Sequence, residues 1–328
     1  MPDIITMGEL LVDFVPEKSN SKLKDVKKFS RVAGGAPANV AVALAKLSYS
    51  AGFIGMVGQD AFGDFLFETL KTYNVEVSQL KRTTEAMTTL AFVSLFDQGE
   101  RDFAFYRKPG ADMLLKLEDI DLNYLNEAKI FHFGSISLTN NPVKETTHGL
   151  IKKSLDNDII ISFDLNIRLP LWNNDINRLK DEFYKILPYL DILKLNLEEL
   201  NQIIEYNIEL NKFEKDKIKL YCNELINMGP DYIIITLGSE GAYFVNENQI
   251  IHDSLEPIEA IDTTGAGDAF MAGILSSIID NIKPNKSLSN ILKELDWYQV
   301  LKRANEFGLI TSSRYGAIPS LPNPEDLE

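Results

Sequence analysis

The chain has 328 residues, 45% of them hydrophobic and 25% charged, with a formal net charge of −15 and a single cysteine. Enough apolar residues are present for a large core, and one cysteine excludes an intrachain disulfide and points to a reducing compartment. The acidic balance argues against nucleic acid and anionic membrane partners, no apolar run approaches the ~20 residues needed to cross a bilayer, and no basic leader precedes the first strand-like run, so a cytoplasmic protein is expected.

Residues 4–7 read as a buried strand ending at Gly8, and residues 9–15 continue it with partial alternation. Asp13 lies there among apolar neighbours, either as a satisfied buried acceptor or as a ligand for hydroxyl groups. After a further strand-like run at 27–32, Gly34 and Gly35 break the chain before an alanine- and valine-rich helix at 38–47. Paired glycines before a helix let a ligand approach the backbone. Asn39, one turn into that helix, carries a donor and an acceptor. It suits a polyhydroxylated ligand or a bond to neighbouring backbone, and the local pattern leaves both open.

A strand at 51–57 and a helix at 64–73 follow by periodicity. Residues 88–96 and 101–106 flank Asp97-Gln98-Gly99-Glu100, which is a hairpin pattern, and Arg107 closes it. Continuous apolar runs at 130–133, 159–163, 192–195, 232–237 and 242–245 alternate with helical patterns. They predict a mostly parallel sheet covered on both faces. The hairpin and the early strands break that alternation and read as a small antiparallel sheet projecting from the body. The chain 1–328 is expected to form one domain.

The densest run is Ile261-Asp262-Thr263-Thr264-Gly265-Ala266-Gly267-Asp268-Ala269-Phe270. Two glycines and a carboxylate open an apolar helix at 270–279. Free N–H groups and a partial positive charge at such a start form a cradle for a phosphoryl group. Asp268 is placed to take a proton from an attacking hydroxyl; a plain capping role is the alternative, which the length of the run outweighs. The chain has no Gly-x-x-x-x-Gly-Lys-Ser/Thr loop, and Phe270 stands where a dinucleotide fingerprint needs its third glycine, so a P-loop kinase and a Rossmann dehydrogenase are both set aside. The three histidines, His132, His148 and His252, have no metal-ligand spacing.

The run at 34–41 and the Asp-Thr-Thr-Gly-Ala-Gly-Asp run at 262–268 resemble the two signatures of the ribokinase-like carbohydrate kinases, the PfkB family. The resemblance extends from Gly8 to about Pro322. Residues 7–14, 35–41 and 131–135 look most like the fructokinases, with the 2-keto-3-deoxygluconate kinases as close relatives. A ribokinase-like three-layer α/β/α sandwich with a small β lid from about 12–33 and 88–108 is therefore expected.

The resemblance implies a transfer of the γ-phosphoryl of MgATP to a sugar hydroxyl, that at C6 of fructose for a fructokinase. Asp268 then matches the catalytic base, expected to stay ionised and hence weak. Gly265, Ala266 and Gly267 match the anion hole. Asp13, Gly34, Gly35, Asn39, Arg107 and Arg168 fall on the sugar side, the arginines keeping a sugar-acid substrate open. Lys194, Asn196, Thr236, Gly238, Gly241 and Asn305 fall on the nucleotide side. Asn196-Leu197-Glu198-Glu199 matches an Asn-x-x-Glu motif, in which Glu199 organises Mg²⁺ through water and Glu198 is solvated. Asp262, Thr264, Gly316 and Ser320 lie where the family places K⁺. A homodimer through an exposed lid edge and a non-catalytic sugar-binding regulator on the same fold both remain in view.

Overall fold

The computed structural model describes residues 1–17, 22–95, 101–204, 215–255 and 260–327. The hairpin loop expected at 97–100 lies outside them. In chain order the elements are β1 (Ile4–Met7), β2 (Leu11–Pro16), β3 (Phe29–Gly34), α1 (Ala36–Lys46), β4 (Ala51–Gly58), α2 (Ala61–Thr72), β5 (Leu80–Thr83), β6 (Leu90–Leu95), β7 (Arg101–Tyr106), β8 (Ile130–Gly134), α3 (Val143–Asp156), β9 (Ile160–Asp164), α4 (Ile176–Ile186), β10 (Ile192–Asn196) and α5 (Leu197–Ile204). They continue with α6 (Lys215–Ile226), β11 (Tyr232–Thr236), β12 (Ala242–Val245), β13 (Ile250–Asp253), α7 (Ala266–Asp280), α8 (Leu288–Glu294) and α9 (Trp297–Ser312).

Nine strands form one sheet in the order β13-β12-β11-β10-β9-β8-β1-β4-β5. From β5 to β11 neighbouring strands are parallel, and β12 and β13 return antiparallel at one edge. β5 and β13 were not foreseen; both are short edge strands with partly exposed positions and a weak apolar signal. The alternation of side chains along each strand divides the core in two. Ile5, Met7, Phe131, Phe133, Ile161 and Phe163 pack with residues of α3 to α6 on one face. Ile4, Phe53, Ile130, Ile160 and Ile192 pack with α1, α7 and α9 on the other. Strands buried on both sides need no polar face, so they read as continuous apolar runs. The result is a three-layer α/β/α body.

The second sheet has the order β3-β2-β6-β7. β2 is antiparallel to β3 and β6 to β7, but β2 and β6 are parallel, so this sheet is mixed where an antiparallel one was expected. The physical reason is its origin: β2 and β6 each leave the body in the same direction and only their immediate partners fold back. One face is aromatic. Phe14 stacks on Phe92 at 4.7 Å between centroids, and Phe29 meets Phe92 edge-on at 5.3 Å.

The parallel strands order the site. Chain order runs from β1 to β4 and β5 in one direction and from β8 to β11 in the other. The carboxyl ends beside such a reversal are where open α/β sheets hold ligands. Among the described residues no helix is long and apolar enough to cross a membrane.

α7 is held by close contact with α9. A Cβ on Gly273 would lie 2.7 Å from the Ala304 Cα. Gly273→Leu is expected to force the two helices apart and to lower stability by about 1–3 kcal/mol or more, as overpacked cores do, with a matching drop in the denaturant midpoint measured by circular dichroism.

Candidate active site

Two helix starts meet at the centre of the molecule. α7 is entered through Gly265 in the left-handed region, φ 82°, where a Cβ would lie 3.2 Å from the Ala317 Cα. Asp268 occupies the third position of that helix. Its Oδ2 accepts a hydrogen bond of 2.7 Å from Nδ2 of Asn39, which lies in the first turn of α1 and 229 residues away in sequence. The side-chain oxygen of Asn39, Oδ1, is buried without a partner, leaving an unused acceptor beside the carboxylate. Hydrophobic residues of both helices pack into one core face, so the bond joins two rigid elements.

Burial pushes the Asp268 carboxyl up to about 6, the charge of Asp164 adds to this, and the Asn39 bond, Lys194 and Arg168 pull the other way. The expected weak, ordinary base is thereby corrected. Desolvation outweighs the helix N-terminus, and the group is a stronger base that is still ionised at neutral pH.

On the lid side, the turn into α1 is shaped by two carboxylates. A Cβ on Gly34 would strike Asp13 Oδ2 at 2.1 Å, and one on Gly35, at φ 117°, would strike the Glu9 carbonyl oxygen at 2.2 Å. Only glycine lets β3 turn so tightly. Glu9 is buried, and its Oε1 accepts from the Ala36 N–H at 2.9 Å. It caps α1, and burial pushes its carboxyl up to about 7. Arg107 does not make the surface ion pair that an arginine usually makes. It is buried, with Nε donating to Asp112 Oδ2 at 2.7 Å and Nη1 to Thr139 Oγ1 at 2.9 Å. Arg168 is half-buried and donates to the Ile167 carbonyl at 3.0 Å.

The ends of β9 and β10 add a buried ion pair. Lys194 Nζ lies 2.8 Å from Asp164 Oδ2. A Cβ on Gly267 would come within 3.1 Å of the same Nζ, so the ammonium lies directly against the glycine turn of α7. Burial disfavours the Lys194 charge, but Asp164, Glu199 and Asp268 outweigh it and hold its pKa above the ordinary value. Asp164 Oδ1 is buried and has no partner.

Asn196 and Glu199 form a reciprocal helix cap. The Glu199 N–H donates to Asn196 Oδ1 at 2.8 Å and the Asn196 N–H to Glu199 Oε2 at 2.8 Å, while Glu199 Oε1 accepts from the Ile167 N–H at 2.7 Å. Glu199 is buried and Glu198 exposed.

The remaining candidates divide. Asp262 gathers the loop before α7, accepting from the Thr264 N–H at 2.9 Å, the Thr264 hydroxyl at 2.6 Å and the Gly316 N–H at 3.0 Å. Ser320 is buried and donates to the Ala317 carbonyl at 2.7 Å. Thr236 ends β11, Gly238 faces open space, and Gly241 at φ 87° turns the chain against Asp253. Asn305 is buried, and its amide donates to the Asp253 carboxylate at 2.8 Å and carbonyl at 3.1 Å, which is a packing role between α9 and β13. His132 is buried against Ser162, and burial holds its pKa down at about 4.

Glu9, Asp112 and Asp164 were missed. Asp164 carried the signal that marked Asp13, a carboxylate closing an apolar strand. Among the described residues no three His, Cys, Asp or Glu side chains cluster to hold a metal ion. The donors present are single carboxylates, the set that suits Mg²⁺ bound through its own water.

Three carboxyls here, Asp268, Glu9 and Glu199, are raised by burial and can give an acidic limb in a pH–rate profile, and Asn39 singles out Asp268. Rate per encounter should fall as pH drops through about 6. Asn39→Ala removes the donor that favours the Asp268 carboxylate, so its limb should move to higher pH. An unmoved limb in kcat/KM would assign it to Glu9 or Glu199 instead of Asp268.

A family model described as pfkB family carbohydrate kinase matches residues 1–324. A probable chloroplastic fructokinase of Arabidopsis thaliana is 39% identical over 324 residues, covering 99% of this chain and 81% of its own. The crystal structure of a Xylella fastidiosa fructokinase with bound ATP has a TM-score of 0.84 and 30% identity, over 100% of this chain and 97% of that one. A Vibrio cholerae O395 fructokinase double mutant, solved with fructose, ADP and potassium ion, has a TM-score of 0.84 and 29% identity over the same shares. With signatures at both helix starts and a match along nearly its whole length, the chain belongs to the pfkB family of carbohydrate kinases.

Proposed function

We propose that this kinase is a fructokinase, transferring the γ-phosphoryl group of MgATP to the C6 hydroxyl of fructose. The observation that carries the reading is the Asn39–Asp268 bond of 2.7 Å at the start of α7. It sets a carboxylate of raised pKa beside an anion cradle.

In this reading the sugar lies between lid and body, against Asp13, Gly34, Gly35 and Asn39. Asp268 accepts the proton of the C6 hydroxyl as its oxygen bonds to the γ-phosphorus and the bond to ADP breaks. The N–H groups of the 265–268 turn take up charge on the transferring group, and Lys194, kept charged by Asp164, adds a cation beside it. Phosphoryl transfer depends mainly on such positioning and charge stabilisation. Mg²⁺ bound with the nucleotide would neutralise phosphate charge. Glu199 and the unpartnered oxygen of Asp164 supply carboxylate for its water shell. The loop gathered by Asp262, Thr264 and Gly316 is the proposed place for K⁺. Closing the lid excludes water from the phosphate.

Two further parts belong to the proposal. The lid sheet ends in β3 and β7, and Tyr106 on β7 is 66% exposed, which supports a homodimer through the lid. The single cysteine, Cys222, is buried and free, and a chain without an intrachain disulfide suits a reducing compartment such as the cytoplasm.

A coupled ATP-consumption assay with fructose and 2-keto-3-deoxygluconate tests the substrate; a clear preference for the acid overturns the fructokinase assignment. Asp268→Ala should lower kcat by a factor on the order of 10²–10⁴ or more, the range of a lost general base, while calorimetry still detects fructose binding. Unchanged turnover would remove Asp268 from the chemistry.

A further inference from the structure

The root of the lid holds an arginine whose charge is already spent. Arg107 closes β7, and its guanidinium reaches the carboxyl end of β8, at the ligand-binding edge of the sheet. There Nε donates to Asp112 Oδ2 at 2.7 Å, Nη1 to Thr139 Oγ1 at 2.9 Å and Nη2 to the Ile136 carbonyl at 3.4 Å. The second oxygen of Asp112 accepts from the Thr89 hydroxyl. Both members of the pair are buried. Glu9 lies close enough for its carboxyl to feel both charges. One cation therefore faces two acids before any substrate arrives.

We propose that Asp112 is a specificity-determining residue that, by occupying Arg107, makes this site accept neutral sugars and refuse sugar acids. The inference rests on the fructokinase reading and names the group that enforces it. A guanidinium is the side chain best shaped to grip a carboxylate with two parallel bonds. Here its fork is turned to Asp112, Thr139 and Ile136. A substrate carboxylate arriving at the lid root would meet the Asp112 carboxylate as a like charge where water is scarce. That repulsion discriminates against the wrong substrate without adding any contact to the right one. Asp112 touches no sugar and acts only through Arg107.

The experiment compares kcat/KM for fructose and for 2-keto-3-deoxygluconate in the wild type, in Asp112→Asn and in the double variant Arg107→Gln, Asp112→Asn. The single change keeps the shape of the carboxyl group and frees one positive charge. It should raise the acid-to-fructose ratio roughly tenfold or more, through a lower KM for the acid. The double change removes both charges and should return the ratio to the wild-type value. Asp112→Ser offers a second route to the freed guanidinium, and thermal melts establish which variants fold. An unchanged ratio in a folded single variant overturns the proposal, as does a gain that survives loss of Arg107. Failure of both single variants to fold assigns Asp112 to structure alone and overturns it too. A wild type that already prefers the acid would instead overturn the fructokinase reading.

Discussion

The hydrogen bond from Asn39 to Asp268 is the contact on which the rest of the site depends. It joins the N-terminal turns of α1 and α7, two helices that pack in the same face of the core. The first turn of α7 keeps N–H groups without intrahelical partners, whereas at α1 Glu9 caps the Ala36 N–H and Pro37 has none; both helices are approached through glycine, so the region between them is open in its sterics. Asp268 places a carboxylate there, beside the glycine turn that opens α7. The rest of the architecture serves that meeting. The sheet brings β1, β8, β9 and β10 together at their carboxyl ends, and α9 clamps α7 closely enough to exclude a side chain at Gly273.

A protein of net charge −15 can act on a polyphosphate because field strength is decided locally. At the ends of β9 and β10, Lys194 is enclosed by Asp164, Glu199 and Asp268, and those acids keep it charged despite burial. The same acids raise the cost of ionising one another, and Asp164 is a reason the Asp268 carboxyl sits well above the ordinary range. One buried cation and several buried acids thus set each other's protonation. A bound magnesium ion would add the positive charge that this group is short of, consistent with an Asp164 oxygen that has no protein partner.

What could be read from the chain followed the range of each signal. The apolar strands, the glycine turns and the Asp-Thr-Thr-Gly-Ala-Gly-Asp run are local patterns, and the α/β body, the glycine entry to α7 and the place of Asp268 at its start followed from them and from the family resemblance. β5 and β13 escaped because edge strands of four residues carry little periodicity. The parallel pairing of β2 with β6 escaped because it depends on where two distant strands leave the body. Burial is the other quantity a sequence hides. Asp268 was expected to be an ordinary carboxylate because its helix position is visible in the chain and its desolvation is not. The enclosure of Arg107, expected on the sugar side, was hidden for the same reason, since Asp112 follows it by only five residues and gives no sign that both are buried.

The two arginines show how that hidden burial decides chemistry. Arg107 and Arg168 look equivalent as candidate anion receptors, each closing a strand-derived segment. Folding separates them. Arg107 is bound by a carboxylate, a hydroxyl and a carbonyl at the lid root. Arg168 stays half-buried on the loop after β9, where its charge is felt by Asp268. The first has been made part of the wall, and the second pulls the Asp268 carboxyl toward its ionised form. A neutral hydroxylated ligand suits this division, because its hydroxyls can be matched by Asn39 and Asp13 while the lid root needs no further anion. Under the proposal made for Asp112, a preference for a neutral sugar follows from which arginine the fold neutralises.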